Sequence, residues 1–91
     1  MLLNRENAYA SLFAAMCRSQ GIPARVEVGR IATGQLHAWN SVWLTSAGSV
    51  KGVTLKANSW TRLDITFMDQ GGEAVAAFFQ NDNNYTLQYC G

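Results

Sequence analysis

One histidine stands in this sequence, His37, within His37-Ala38-Trp39-Asn40. A single imidazole is a poor start for a zinc centre, which draws on several His or Cys ligands. Asp64 lies further along, in Arg62-Leu63-Asp64-Ile65-Thr66. Taken singly, each has an ordinary structural role, the histidine as a satisfied or surface side chain and the aspartate as a strand-end acceptor. Taken together they suggest chemistry. A carboxylate on one strand beside an imidazole on its neighbour is the orienting half of a nucleophilic triad. The acid holds the ring in one tautomer and stabilises the imidazolium that forms during acyl transfer. A thiol or hydroxyl must then face the other ring nitrogen. A thiol is best placed at a helix N-terminus, where free N–H groups and the macrodipole favour the thiolate. The chain has two thiols, Cys17 and Cys90.

The elements that must position these residues can be read from periodicity. From Ala8 to Gln20, Tyr9, Leu12, Phe13, Met16 and Cys17 recur at helical spacing, and Ala8, Ala10, Ala14 and Ala15 add helix propensity. Tyr9, Leu12, Phe13, Met16 and Cys17 are expected to form the buried face. Asn4 is the expected N-cap, Gly21 the left-handed C′ residue, and Pro23 the stop. Beyond Pro23 the period becomes two. Val26 and Val28 mark a first strand, with turns expected at Gly29 and at Thr33-Gly34-Gln35. Leu36 to Leu44 reads as a second strand, with His37, Trp39, Ser41 and Trp43 on one face and Ala38, Asn40, Val42 and Leu44 on the other. Thr45 to Gly48 is expected to be a hairpin loop, and Val50 to Lys56 a weaker strand with a bulge at Gly52, so that Val50 and Val53-Thr54-Leu55 form an extended hairpin or an added strand. Trp60 to Phe67 reads as a fourth strand that carries Asp64. Gly71-Gly72 breaks the chain, Glu73 to Phe79 is a short helix or an apolar loop, Asn81 to Asn84 a turn, and Tyr85 to Tyr89 a last strand. One helix followed by about four or five strands with short connections implies an α+β domain, the helix packed on an antiparallel sheet.

Composition sets the outer bounds. Ninety-one residues, 48% apolar and 14% charged, make one globular domain, here taken as 1–91. The net charge of +1 offers no nucleic-acid footprint. No apolar run approaches the roughly 18–20 residues of a membrane span. There is no acidic cluster with calcium-ligand spacing, and no cofactor is implied. Two cysteines are too few for a disulfide-dense scaffold, although a Cys17–Cys90 pair would staple a small extracellular module. The start is blunt and lacks the pattern of a signal peptide, as if the chain were cut just before an element begins.

Three blocks carry a resemblance. Tyr9 to Val26, ending Arg18-Ser19-Gln20-Gly21-Ile22-Pro23-Ala24-Arg25-Val26, closely resembles the core helix and first strand of the transglutaminase-like superfamily. His37-Ala38-Trp39 resembles the family's His-Ala-Trp motif, and Trp60-Thr61-Arg62-Leu63-Asp64-Ile65-Thr66 its Trp-x-x-Leu-Asp-x-Thr motif. The resemblance implies a papain-like α+β fold, with His37 as the base that activates a cysteine and Asp64 as its orienter. It also implies a protein or peptide partner, because family members transfer or hydrolyse acyl groups as protein-crosslinking enzymes, peptidases or peptide N-glycanases. Some have lost catalysis and serve as binding domains.

The same alignment exposes a deficit. Counting back four residues from Ala10 puts the family's nucleophile at Glu6, with Asn4 at the preceding glycine position. A carboxylate cannot perform thiol acyl transfer, though an acidic residue suits a first helical turn. Cys17 returns to nearly the same helix face, but eleven residues on it is about 16 Å along the axis. Ser41 replaces the glutamate that many members carry after the His-Ala-Trp-Asn run. Trp39 and Trp43 share the His37 face and are candidates to line a substrate groove. Two readings follow: the C-terminal part of a thiol acyl-transferase or peptidase domain, or a natural non-catalytic domain whose cleft binds peptide or glycan. A trimmed domain of this kind exposes apolar surface, and self-association is a consequence to expect.

Overall fold

The computed structural model describes residues 5–50, 52–68 and 73–91, the side chains of residues 5, 6, 50 and 73 excepted. The expected N-cap Asn4 and the Gly71-Gly72 break lie outside these residues. Helix α1 spans Arg5–Ser19. Its end follows from Gly21, whose φ of 77° is open to glycine at no steric cost. There the N–H of Ile22 bonds the Cys17 carbonyl at 2.9 Å and the N–H of Gly21 that of Arg18 at 3.1 Å, a Schellman closure of the helix. The Arg18 guanidinium then clips the next strand by donating to the carbonyl of Ala24 at 2.8 and 3.2 Å.

Strands β1 (Ala24–Ile31), β2 (Leu36–Leu44), β5 (Ser59–Leu63) and β6 (Tyr85–Cys90) form an antiparallel sheet in the order β5-β2-β1-β6. The domain is therefore α+β, a helix packed on a four-stranded sheet. Strands β3 (Gly48–Val50) and β4 (Val53–Leu55) pair only with each other among the described residues. Of the two forms expected for the Val50 to Lys56 stretch, an added strand or an extended hairpin, the chain takes the hairpin, built from two short strands. Gly52, with φ 80°, lies between them rather than at a bulge. The Thr45 to Gly48 loop does not close a hairpin onto β2; β5 takes that place.

Three further expectations change. The face of α1 turned to the sheet is Ala10, Ala14 and Cys17, while Tyr9, Leu12 and Met16 are exposed, Leu12 by 60%. Both stripes have the helical period. The alanine stripe wins because small side chains let the helix approach the sheet, where Ala10 meets Val28 and Ala38. Gly29 is not a turn but lies inside β1, at the point where the pairing with β6 shifts register. The strand expected to run to Phe67 stops at Leu63. Asp64 turns the chain, and helix α2 (Ile65–Met68) follows. Helix α3 (Glu73–Gln80) resolves the ambiguous apolar segment as helix, and its Phe79 and Ala76 are buried in the main core with Trp39, Val42, Val53 and Leu63. The chain then passes through a 3-10 turn at Asp82–Asn84 into β6.

Candidate functional site

Residues distant in sequence converge where β2 begins and β5 ends. His37 is the second residue of β2. Asp64 sits just past β5, where its side chain caps α2: Oδ1 accepts from the N–H of Phe67 at 3.4 Å, and its carbonyl accepts from Met68 at 2.8 Å. A carboxylate at a helix start is favoured by the free N–H groups there. That local requirement breaks the strand and aims the other oxygen inward. His37 Nε2 lies 2.8 Å from Asp64 Oδ2, with both side chains buried and Asp64 wholly so. In its neutral form, a ring whose Nε2 faces a carboxylate carries the proton there and keeps the lone pair on Nδ1. Phe67 stacks on the imidazole at 5.2 Å and 23°, and Trp39 at 6.3 Å and 28°, which sets the ring plane.

A third group joins this pair. The Tyr85 hydroxyl donates to the same Asp64 oxygen at 2.8 Å. Burial first, then the Asp64 charge and this hydrogen bond, push the Tyr85 phenol well above its ordinary value of 10.0. Its hydroxyl therefore stays a donor. Sequence reading placed Tyr85 only at the start of a strand. No local motif marks it, because the contact is made across 21 residues.

The direction of α1 decides what can reach His37. Ala10 packs on Ala38, whereas Cys17 lies in the core cluster with Ala24 and Val42, partners in the β1–β2 ladder. The helix thus runs in the same sense as β2 and opposite to β1, and its N-terminal end is the one nearest His37. Val42 is five residues beyond His37, about 17 Å along the strand. Cys17 is buried, and desolvation raises its thiol above the ordinary 9.0, the reverse of what activates a nucleophile. Glu6 is in the first turns of α1. Cys17 and Cys90 are free thiols, one buried and one exposed, so no staple joins them.

The tryptophan face of the sheet is polar beyond the histidine. Arg25, Ser41 and Arg62 stand in one row across β1, β2 and β5. Glu27 accepts from the Trp39 indole at 2.8 Å and the Ser41 hydroxyl at 2.9 Å, and pairs with Arg25 at 3.0 Å. With Ser41 on β2, the carboxylate beside Arg25 comes from β1 itself. Arg25 lies over the Trp60 ring at 3.8 Å and Arg62 over Tyr85 at 4.5 Å. These groups and Leu87 surround a cavity of about 240 Å³. Trp39 is almost fully buried at its floor. Trp43 packs edge-on against Trp60 at 5.8 Å and does not line this cavity; Trp60 supplies its aromatic wall.

Among the described residues, no group of three or more metal-ligating side chains is gathered, and no helix is long and apolar enough to cross a membrane. Residues 5–65, from the first turn of α1 to the residue after Asp64, match the family model described as the transglutaminase-like superfamily. No curated protein and no solved structure matches the chain.

Proposed function

This chain belongs to the transglutaminase-like superfamily, and from that premise we propose that it keeps the histidine and acid of a Cys-His-Asp acyl-transfer site while Glu6 occupies the nucleophile's position. His37 is the base and Asp64 its orienter. The observation that carries this reading is the buried 2.8 Å contact between His37 Nε2 and Asp64 Oδ2. It leaves Nδ1 as the nitrogen that would take a proton from a thiol. In such chemistry the thiolate adds to an acyl carbonyl, and the imidazolium returns the proton to the departing amine. Glu6 offers no thiol, and Cys17 lies at the far end of the helix. The chain as it stands is therefore inactive in thiol acyl transfer or proteolysis.

The experiment is to restore the missing group. In Glu6→Cys, the new thiol should alkylate faster than Cys17, and the advantage should disappear in Glu6→Cys with His37→Ala. If the His37 change leaves the new thiol's reactivity untouched, the cleft is misplaced. A thiol-dependent turnover in the unaltered chain that Cys17→Ala abolishes would refute inactivity.

The cavity walled by Trp60, Arg62 and Leu87 favours a second reading, a non-catalytic domain that binds peptide or glycan on this face. Aromatic and guanidinium planes stack readily on such ligands. Under that reading, Trp60→Ala weakens ligand binding, whereas Glu6→Cys confers no acyl transfer.

A further inference from the structure

We propose that Tyr85 is a positioning residue for the His37–Asp64 pair, its hydroxyl locking the carboxylate in the one orientation that holds the imidazole as the Nε2–H tautomer. The inference rests on the reading of His37 and Asp64 given above and extends it to a residue from a different strand.

Among the described residues, little besides Tyr85 and His37 holds the Asp64 side chain. That side chain is fully buried, and a buried carboxylate needs donors on both oxygens. Among the described residues, Oδ1 has only the 3.4 Å contact with the Phe67 amide, which is long for an N–H···O bond. Rotation of a carboxylate about its last side-chain bond is soft and two-fold, so this contact alone does not choose the plane. Oδ2 receives two donors at 2.8 Å, His37 Nε2–H and the Tyr85 hydroxyl. The histidine cannot both depend on the carboxylate for its orientation and be what orients it. Tyr85 is the independent anchor.

Tyr85 is itself fixed. Its ring meets Trp39 edge-on at 4.8 Å and Phe78 at 6.1 Å, and the Arg62 guanidinium covers its face at 4.5 Å. Arg62 is in turn held by the Phe79 carbonyl at 3.2 Å and Asp82 at 3.0 Å. The ring stacking of Phe67 and Trp39 determines the plane of the imidazole but not which nitrogen carries the proton. That choice belongs to the acceptor, and the acceptor's orientation belongs to Tyr85. Nδ1, which no described residue engages, is thereby kept as the free base.

The chain's single histidine makes the test direct. Nitrogen-15 correlation spectra of the full chain report the tautomer of His37 in the wild type, in Tyr85→Phe and in Asp64→Asn. The expected result is one Nε2–H tautomer in the wild type and loss of that single tautomer in both variants. In Tyr85→Phe the backbone amide shifts away from the site should be unchanged, which a merely structural loss would not give. If Asp64→Asn leaves the tautomer as it was, the His37–Asp64 reading fails. If Asp64→Asn changes it and Tyr85→Phe does not, only the role of Tyr85 is overturned. Should Tyr85→Phe not fold, ultraviolet titration of the tyrosines in the wild type and Asp64→Asn replaces it. Removing the Asp64 charge should bring Tyr85 ionisation to lower pH, and an unchanged titration would refute the coupling.

Discussion

The close approach of β1 and β6 at Gly29 can be tested by adding one carbon. A Cβ at Gly29 would sit 1.9 Å from the carbonyl oxygen of Thr86 and 2.8 Å from its carbon, where real Cβ contacts begin at 3.0 Å. The obstacle is backbone, so no side chain can swing away. In Gly29→Ala, β6 must withdraw by about 1 Å or more, which stretches an N–H···O bond of about 2.9 Å past its useful length. The pairs nearest the clash are Gly29↔Leu87, Arg30↔Thr86 and Ile31↔Tyr85. Losing two or three such bonds costs about 1 kcal/mol each, and partial exposure of Tyr85 adds about 1–2 kcal/mol. The expected loss is about 3–5 kcal/mol, a large share of the roughly 5–14 kcal/mol available to a chain of this length. With an m-value of about 1.3 kcal/mol/M, urea unfolding should shift to lower midpoint by about 2–4 M. Hydrogen exchange should show β6 amides losing protection before those of β2. A loss under about 1 kcal/mol with β6 still protected would refute the reasoning.

Two other outcomes follow from burial. Tyr85 ionises less readily folded than unfolded, so the folded state holds the proton more tightly above pH 10.0. Stability should therefore be complete below that value and fall as pH rises above it, by up to about 1.4 kcal/mol per pH unit; Tyr85→Phe should flatten that part of the curve, and an equal slope in both proteins would contradict the burial of Tyr85. Of the two thiols, exposed Cys90 should react rapidly with a disulfide reagent, and buried Cys17, its thiol raised by desolvation, only slowly until denaturant is added. Equal native rates would show that the helix does not pack as described.

The site was legible to different degrees for identifiable reasons. His37 and Asp64 could be named because each sits in a short local motif, and motifs survive without knowledge of the fold. The strand expected to carry Asp64 through to Phe67 ends instead at Leu63, because Asp64 spends one oxygen as a helix cap. Alternation of Leu63, Ile65 and Phe67 gave no sign of that competition. Tyr85 was silent because its role depends on a hydrogen bond to a residue 21 positions away. Glu27 only alternates with Val26 and Val28 in the sequence, yet it is buried and bonded to Trp39, Ser41 and Arg25.

By itself, the sequence determined the helix and its stop, the period-two strands, the α+β class and the two residues of the pair, since propensity, capping and alternation are short-range effects. Tertiary structure decided which apolar stripe of α1 is buried. Two stripes with the same period are equivalent until a sheet selects the one that packs closer. It also decided that Gly29 lies inside a strand, that β5 rather than β3 lies beside β2, and that Tyr85 completes the Asp64 environment. Each of these depends on which distant backbone or side chain comes to rest nearby, and no local pattern encodes that.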